Sequence, residues 1–364
     1  MGFQLPIELI EMFLEAAYYL PAGQPDYKSL AACSQVCRQW ELPARRLLYA
    51  DLSLGRDMDM GSIVTSPATG ALVCSVELTI GAGWDTAIAV LLRCRQLYQL
   101  TLHVASSVMH IQPAIIDSLC ALSLNIRALD LEAGSSSTVV YELLEVWPSI
   151  RHLNLRESLY TLPPAIRPAF SLYELSVRGV NVTPHAMEWL ISPRDPSSGV
   201  STRILGLHKD RYTACPAVST QAPFIQSLTL QRWLKWVDLG LFTDLKELIM
   251  FFIPGHPIPP LQGIEHLAIQ PNYSGVSTPD QLEHVLDAVR TLPNLKHVSI
   301  SEAMSRRPDF PTLRAACEER TVDVVVLPLE TEPRSPPGYL VWTDHYPRRR
   351  TLSCLRRLMS FPSS

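Results

Sequence analysis

One pattern recurs along most of the chain and limits what it can fold into. An apolar residue, two others, an apolar residue, one other and a third apolar residue make up "LYQLTL" from Leu97, "IRALDL" from Ile126, "IRHLNL" from Ile150 and "LYELSV" from Leu172. The same spelling returns in "IQSLTL" from Ile225, "LKELIM" from Leu245, "IEHLAI" from Ile264 and "LKHVSI" from Leu295. Weaker copies begin at Tyr49, Ser75, Thr202 and Val322. The mean step between starts is about 25 residues, a period that belongs to stacked-repeat architectures. Within each copy the last two apolar positions alternate with polar ones, which predicts a short strand with one buried face.

Helical stretches fill the intervals: "WDTAIAVLLRCRQ", "AIIDSLCALS", "TVVYELLEVW" and "TPDQLEHVLDAVRTL". In the last, Thr278 suits an N-cap, Pro279 the first helical position and Gln281 the closing residue of a capping box. "ISPRDPSSGV" reads as loop, and "HKDRYTACPAVSTQAP" as a looser excursion. A strand–turn–helix unit of this size buries its apolar face only against neighbouring copies. The expected fold is therefore α/β over residues 51–330, with parallel strands on the concave side of a curved solenoid and helices outside. The units resemble leucine-rich repeats, with one departure. The turn asparagine of that family occurs only as Asn272; elsewhere the position holds Ala105, Gly134, Ser158, Val180, Trp233 or Ala303. Other hydrogen bonds must close those turns, and the arc should be irregular.

Residues 1–50 are written differently. From Pro6 to Leu20, Glu8, Glu11 and Glu15 mark the polar side of a helix whose apolar stripe is Leu9, Phe13, Ala16, Ala17 and Leu20, widened by Ile10 and Leu14. "PAGQPDY" breaks that helix. A second helical run from Lys28 to Trp40 then places Leu30, Cys33, Val36, Cys37 and Trp40 on one face. Cys33 and Cys37 supply half of a structural zinc shell and nothing nearby completes it, so they read as small hydrophobes. "LPIELI" at Leu5–Ile10, "LAACSQVCRQW" at Leu30–Trp40 and "LLYADLSL" at Leu47–Leu54 together resemble an F-box, with the link between its helices lengthened by "LPAGQPDY". The resemblance implies a non-catalytic three-helix module that docks on the Skp-family adaptor of a cullin-RING ubiquitin ligase. It implies adaptor contacts from Leu5, Pro6, Ile7, Leu9, Ile10 and Phe13, with Val36, Cys37 and Trp40 supporting or joining them.

Composition removes several alternatives. Net charge is −4, so nucleic acid and anionic membrane surfaces are not favoured partners. The apolar amino terminus lacks the basic flank of a signal peptide, and Pro6 stands where a myristoylation site needs Ser or Thr. No apolar run approaches the ~20 residues of a membrane span. Eight cysteines without CxxC spacing fit reduced thiols and an intracellular location, cytoplasmic, nuclear or both. "GAG" at Gly81–Gly83 follows a strand and precedes a helix, but Thr86 occupies the third glycine position of a dinucleotide fingerprint, so a tight turn explains it. With neither HExxH nor GxSxG present, no catalytic residue, metal or cofactor is expected.

Strand positions facing away from the helices should be exposed and form the recognition surface for a target protein: Asp130, His152, Glu174, Ile249 and Phe251 are the candidates, with Glu247 and His266 similarly placed. Ile249 and Phe251, beside Trp233, Phe252 and Ile253, are unusually apolar for such positions, unless a helix or the carboxyl tail covers them. Residues 331–364 contain five arginines between Arg348 and Arg357, with Leu352, Leu355 and Leu358 at helical spacing, and suit either a capping helix or a basic docking segment. The sequence thus predicts a substrate-recognition subunit that works by proximity, or a repeat scaffold that binds the adaptor without ligase function.

Overall fold

A computed structural model describes residues 5–18, 26–54, 67–81, 83–166, 169–178, 181–191, 202–207, 216–230, 238–270 and 282–327. Three helices open the chain: α1 (Ile7–Tyr18), α2 (Tyr27–Cys33) and α3 (Arg38–Ala50). A 12-stranded sheet follows in which spatial order is chain order, every pair parallel. Its strands are β1 (Asp51–Leu54), β2 (Ser75–Ile80), β3 (Gln99–Val104), β4 (Ala128–Glu132), β5 (His152–Leu155), β6 (Glu174–Val177), β7 (Ile204–Leu207), β8 (Ser227–Leu230), β9 (Glu247–Met250), β10 (His266–Ile269), β11 (His297–Ser301) and β12 (Asp323–Leu327). Each predicted repeat start is followed within two residues by one of these strands. Between them lie α4 (Pro67–Gly70), α5 (Asp85–Arg93), α6 (Pro113–Ala121), α7 (Val139–Val146), α8 (Pro184–Ile191), α9 (Pro216–Gln221), α10 (Glu283–Thr291), α11 (Glu302–Ser305) and α12 (Phe310–Glu319). None of the described helices is long and apolar enough to cross a membrane.

The strand register has no offset from repeat to repeat. Val76, Leu100, Leu129, Leu153 and Leu175 are successive Cα partners, and the column continues through Leu205, Leu228, Leu248, Leu267 and Val298. These side chains, together with the first and third apolar residues of the eight fully spelled copies, enter one continuous core against the helices. We call the opposite side of the sheet its front face.

Where the repeat spelling lapses, other groups fill in. Among the described residues no helix links β5 to β6; Leu159 instead bridges Val182, and Phe170 and Trp189 occupy the space with rings 5.2 Å apart. The Trp189 indole donates to the Ile166 carbonyl, and the Tyr141 hydroxyl donates to that of Thr161. The missing asparagine ladder is replaced locally by α7: Glu142 accepts from the Ile111 amide at 2.7 Å, while the Thr138 amide and hydroxyl both reach the Met109 carbonyl. Part of the expected loose excursion is ordered as α9 and a 3-10 turn over Ala222–Phe224. Thr278, Pro279, Gln281 and Asn272 lie outside the described residues, as do Val180, Trp233, the loop residues 192–201 and the tail 331–364.

The amino-terminal helices differ from expectation at one point. The run from Lys28 to Trp40 is two helices, because α2 ends in a turn at Ser34–Val36 and Cys37 caps α3 in extended conformation. The Ser34 hydroxyl turns back to the Ala31 carbonyl at 2.7 Å, a local bond that competes with helix continuation. Cys33 and Cys37 therefore do not share a helical face: Cys33 packs on the small core while Cys37 is exposed. At the other end of α2, Asp26 caps the helix by accepting from the Ser29 amide, the main reason its carboxyl lies below the usual range.

The turn glycines separate into two kinds. At Gly263 a Cβ would sit 2.6 Å from the backbone oxygen of Leu245 in the preceding repeat, whereas at Gly81 it would meet nothing. Gly263→Ala should therefore destabilise by about 1–3 kcal/mol, the usual cost of forcing extra volume into packed structure. Gly81→Ala should leave the urea midpoint unchanged, and equal midpoints for the two variants would contradict the packing described.

Candidate functional site

Two surfaces carry the features from which function can be argued. The first is on the amino-terminal helices. Ile10 and Leu14, four residues apart on α1, are fully buried with Leu30, Ala44 and Leu47, and the same cluster takes in Cys74, Tyr98 and Ala128 from the start of the sheet. The helical unit therefore shares its core with the first repeats. With that stripe spent on packing, Leu9, Met12 and Phe13, spaced i, i+3, i+4, project together into solvent, and Ile7 is also exposed. The Phe13 ring lies 6.5 Å from that of Trp40 and nearly parallel to it, so α1 and α3 meet along an aromatic seam.

The positions expected to contact an adaptor thus divide. Pro6, Ile7, Leu9, Phe13, Val36 and Cys37 are exposed, while Trp40 and Leu5 are half-buried against the small core. Ile10 is a correction: at 0% exposure it belongs to the core and presents nothing to a partner. Val36, a core position had one helix continued, is instead 64% exposed in the α2–α3 turn. Met12, Tyr27 and Leu42 are exposed apolar residues that the motif comparison passed over. The i, i+3, i+4 relation of Met12 to Leu9 and Phe13 was the available signal.

The second surface is the front face, which is built as ladders of side chains crossing several strands. On β1–β4 the Ser53 hydroxyl donates to Glu77 at 2.9 Å, and His103 lies between Glu77 at 3.0 Å and Glu132 at 2.8 Å. Next to it Arg156 grips Asp130 through two 2.7 Å hydrogen bonds, which raise the guanidinium pKa above its ordinary value against the opposing effect of burial. Glu77 and Glu132 remain over 40% exposed, so this end of the face is open.

On β8–β11 the corresponding ladder is sealed. The Ser227 hydroxyl lies 2.6 Å from one Glu247 oxygen, His266 Nδ1 lies 2.8 Å from the other, and His266 Nε2 lies 2.8 Å from the Ser299 hydroxyl. In a neutral imidazole the carboxylate takes the Nδ1–H, which leaves Nε2 to accept from the Ser299 hydroxyl. Ser299, His266 and Glu247 stand in the order of a nucleophile, its base and an orienting acid. All three are buried to within 1% of complete, so in this arrangement the serine is closed to substrate and the chain acts as a polar tie between strands. Sequence motifs gave no sign of it, because the three residues come from three separate repeats and meet only through the register.

Several expected front-face contacts are corrected by this burial. Ile249 and Phe251 are 1% and 2% exposed, and His152 is buried 3.5 Å from Glu174, itself largely covered. Asp130 is occupied by Arg156. The expectation treated every front-face residue as solvent-facing; here lateral hydrogen bonding and additional cover remove most of them from water. At the "GAG" turn neither Gly81 nor Gly83 has a close backbone neighbour that would require glycine. Among the described residues no cluster of His, Cys, Asp or Glu is arranged to hold a metal ion. Burial pushes the thiols of Cys94 and Cys317 up to about 11, in keeping with packing roles.

The fold and these surfaces define an α/β protein with an in-order parallel sheet and a helical unit fused to its first edge. No protein-family model matches the chain, and no curated protein matches it.

Two measurements check the geometry. Replacing His266 by Ala takes the imidazole away from one oxygen of the buried Glu247 carboxylate and should cost about 3–5 kcal/mol, against about 1 kcal/mol for Ser299→Ala. Similar urea midpoints for both variants would refute the buried tie. In the folded protein at neutral pH, a maleimide should modify Cys37 and Cys120 while sparing Cys94 and Cys317, as read by peptide mass spectrometry.

Proposed function

We propose that the chain is the substrate-recognition subunit of a cullin-RING ubiquitin ligase, with α1–α3 as an F-box and the strand–helix stack as an irregular leucine-rich-repeat solenoid. The observation that carries this reading is the exposed apolar set Ile7, Leu9, Met12 and Phe13 on α1, held by a three-helix unit that has already satisfied its own core. A cluster of large apolar side chains left in water on a unit with a complete core is the signature of a docking face. "LPIELI" and "VCRQW" lie on the elements that build it, which makes a Skp-family adaptor the fitting partner.

In this reading the protein contributes position. The helices attach to the adaptor, the open part of the sheet's front face holds a target protein, and the target's lysines gain effective concentration near a conjugating enzyme carried by another subunit. No residue of this chain takes part in the bond-making step.

The test uses exposed positions, so that loss of folding is not mistaken for loss of binding. Leu9→Asp together with Phe13→Asp should lower adaptor co-purification at least tenfold and leave the urea midpoint within experimental error. Retained adaptor binding by the double variant sinks the assignment. Cullin in the wild-type complex distinguishes ligase work from an adaptor-bound scaffold.

A further inference from the structure

The register that stacks the apolar column also stacks a row of residues along the edge where the strands begin. The residue preceding each strand from β4 to β11 donates its backbone N–H to the carbonyl of the residue preceding the strand before, at 2.7–2.9 Å, in an unbroken series from Tyr98 to Lys296. Neighbours in the row are therefore one strand apart, about 4.8 Å. Arg127, Arg151, Arg203, Lys246 and Lys296 occupy five of its nine places and Glu265 is its one acid, in a chain whose net charge is −4. From Arg151 onward the cations recur on every second strand, ahead of β5, β7, β9 and β11, so they stand about 10 Å apart.

This charge is only partly answered within the chain. Lys296 pairs with Glu265 at 2.6 Å and Arg203 comes within 4.0 Å of Asp244, but Lys296 and Asp244 lie in water, where such pairs contribute little. Lys246, exposed between them, has no ion-pair partner among the described residues. Arg151 and Arg203 each rest one nitrogen on a carbonyl in the turn before the next strand, Ser171 at 2.9 Å and Phe224 at 3.3 Å. A guanidinium has five N–H donors, so both keep others for an anion. Burial, and then the charge of Arg127, hold the Arg151 guanidinium below its ordinary pKa, so these two cations stand close enough to repel. A negative group laid along the row relieves that repulsion.

We propose that this edge is a second docking surface, and that its ligand is an extended acidic segment of a partner protein. The edge is distinct from the exposed face of α1 and from the open part of the front face, so it adds to the adaptor and target contacts above and does not depend on them. Opposite charge supplies the attraction, and spacing selects the form. Three residues of an extended chain cover about 10 Å, so a carboxylate at every third position meets Arg151, Arg203, Lys246 and Lys296 in turn. At the β8–β11 end the edge opens into a cleft of about 490 Å³ whose walls include Gln226, Thr243, Gln262 and Asn294 beside the two lysines. Their amides and hydroxyl both donate and accept, as a peptide backbone requires. Nucleic acid fits worse. Asp244 and Glu265 stand among the cations and repel a backbone charged at every nucleotide, whereas carboxylates on every second strand bypass Glu265 ahead of β10.

Fluorescence anisotropy on the full chain tests the assignment without reference to the adaptor. The probe is a fluorescein-labelled peptide of glycine and serine carrying glutamate at every third position. Binding should saturate, weaken as sodium chloride is raised, and fall at least tenfold when Lys246→Glu and Lys296→Glu are combined. Both lysines are exposed, so the urea midpoint should hold; if it shifts, Lys246→Gln alone, which breaks no ion pair, should still weaken binding at least twofold. Absence of saturation, equal affinity in the variants, tighter binding of the same peptide with lysine for glutamate, or tighter binding of a single-stranded oligonucleotide of equal length would each overturn the assignment.

Discussion

Everything in this molecule depends on parallel strands meeting their neighbours without offset. Each strand has only four to six residues, too few to be stable as an isolated pair. Zero offset stacks the second apolar residue of every repeat on that of the last, so one column of leucines and valines runs through the sheet. A slip of one residue at any pair would turn the following side chains to the wrong face. The helices, the close approach of Gly263 to Leu245 and the ladders on the front face are all built on that alignment.

The same constraint produces polar order on the other face. Residues distant in the chain arrive side by side, and the local composition decides what they become: an open Glu77–His103–Glu132 ladder at one end, a dry Ser227–Glu247–His266–Ser299 tie at the other. A buried carboxylate is costly unless its oxygens are occupied, and here serine and histidine occupy both. Such a tie opposes slippage as the apolar column does, by directional bonds rather than by burial.

The strands were legible because their signal is local and repeated: Leu97, Leu100 and Leu102 announce β3 by themselves. The helices α5, α6 and α7 were legible for the same reason. The break between α2 and α3 was not, since Ser34 and Gln35 are no strong helix breakers and the decisive bond, Ser34 to Ala31, is a choice of side-chain rotamer. Nor was the fate of Ile10 against Leu9, one residue apart and equally apolar; which of them is buried depends on where α2 and α3 pack. Exposure of the front face was misjudged at Ile249 because strand alternation predicts which side a residue faces, not what else lies on that side.

The junction between α3 and β1 has a mechanical meaning. The helix ends at Ala50 and the strand begins at Asp51, which is itself the helix C-cap, and the core beneath α1 includes Cys74 and Tyr98 from the next two repeats. There is no hinge residue between the two parts, so they turn together. Whatever the side chains of Leu9 and Phe13 grip is held at a set bearing to the sheet, and a load taken up along the strands is carried into α1 as through a bracket.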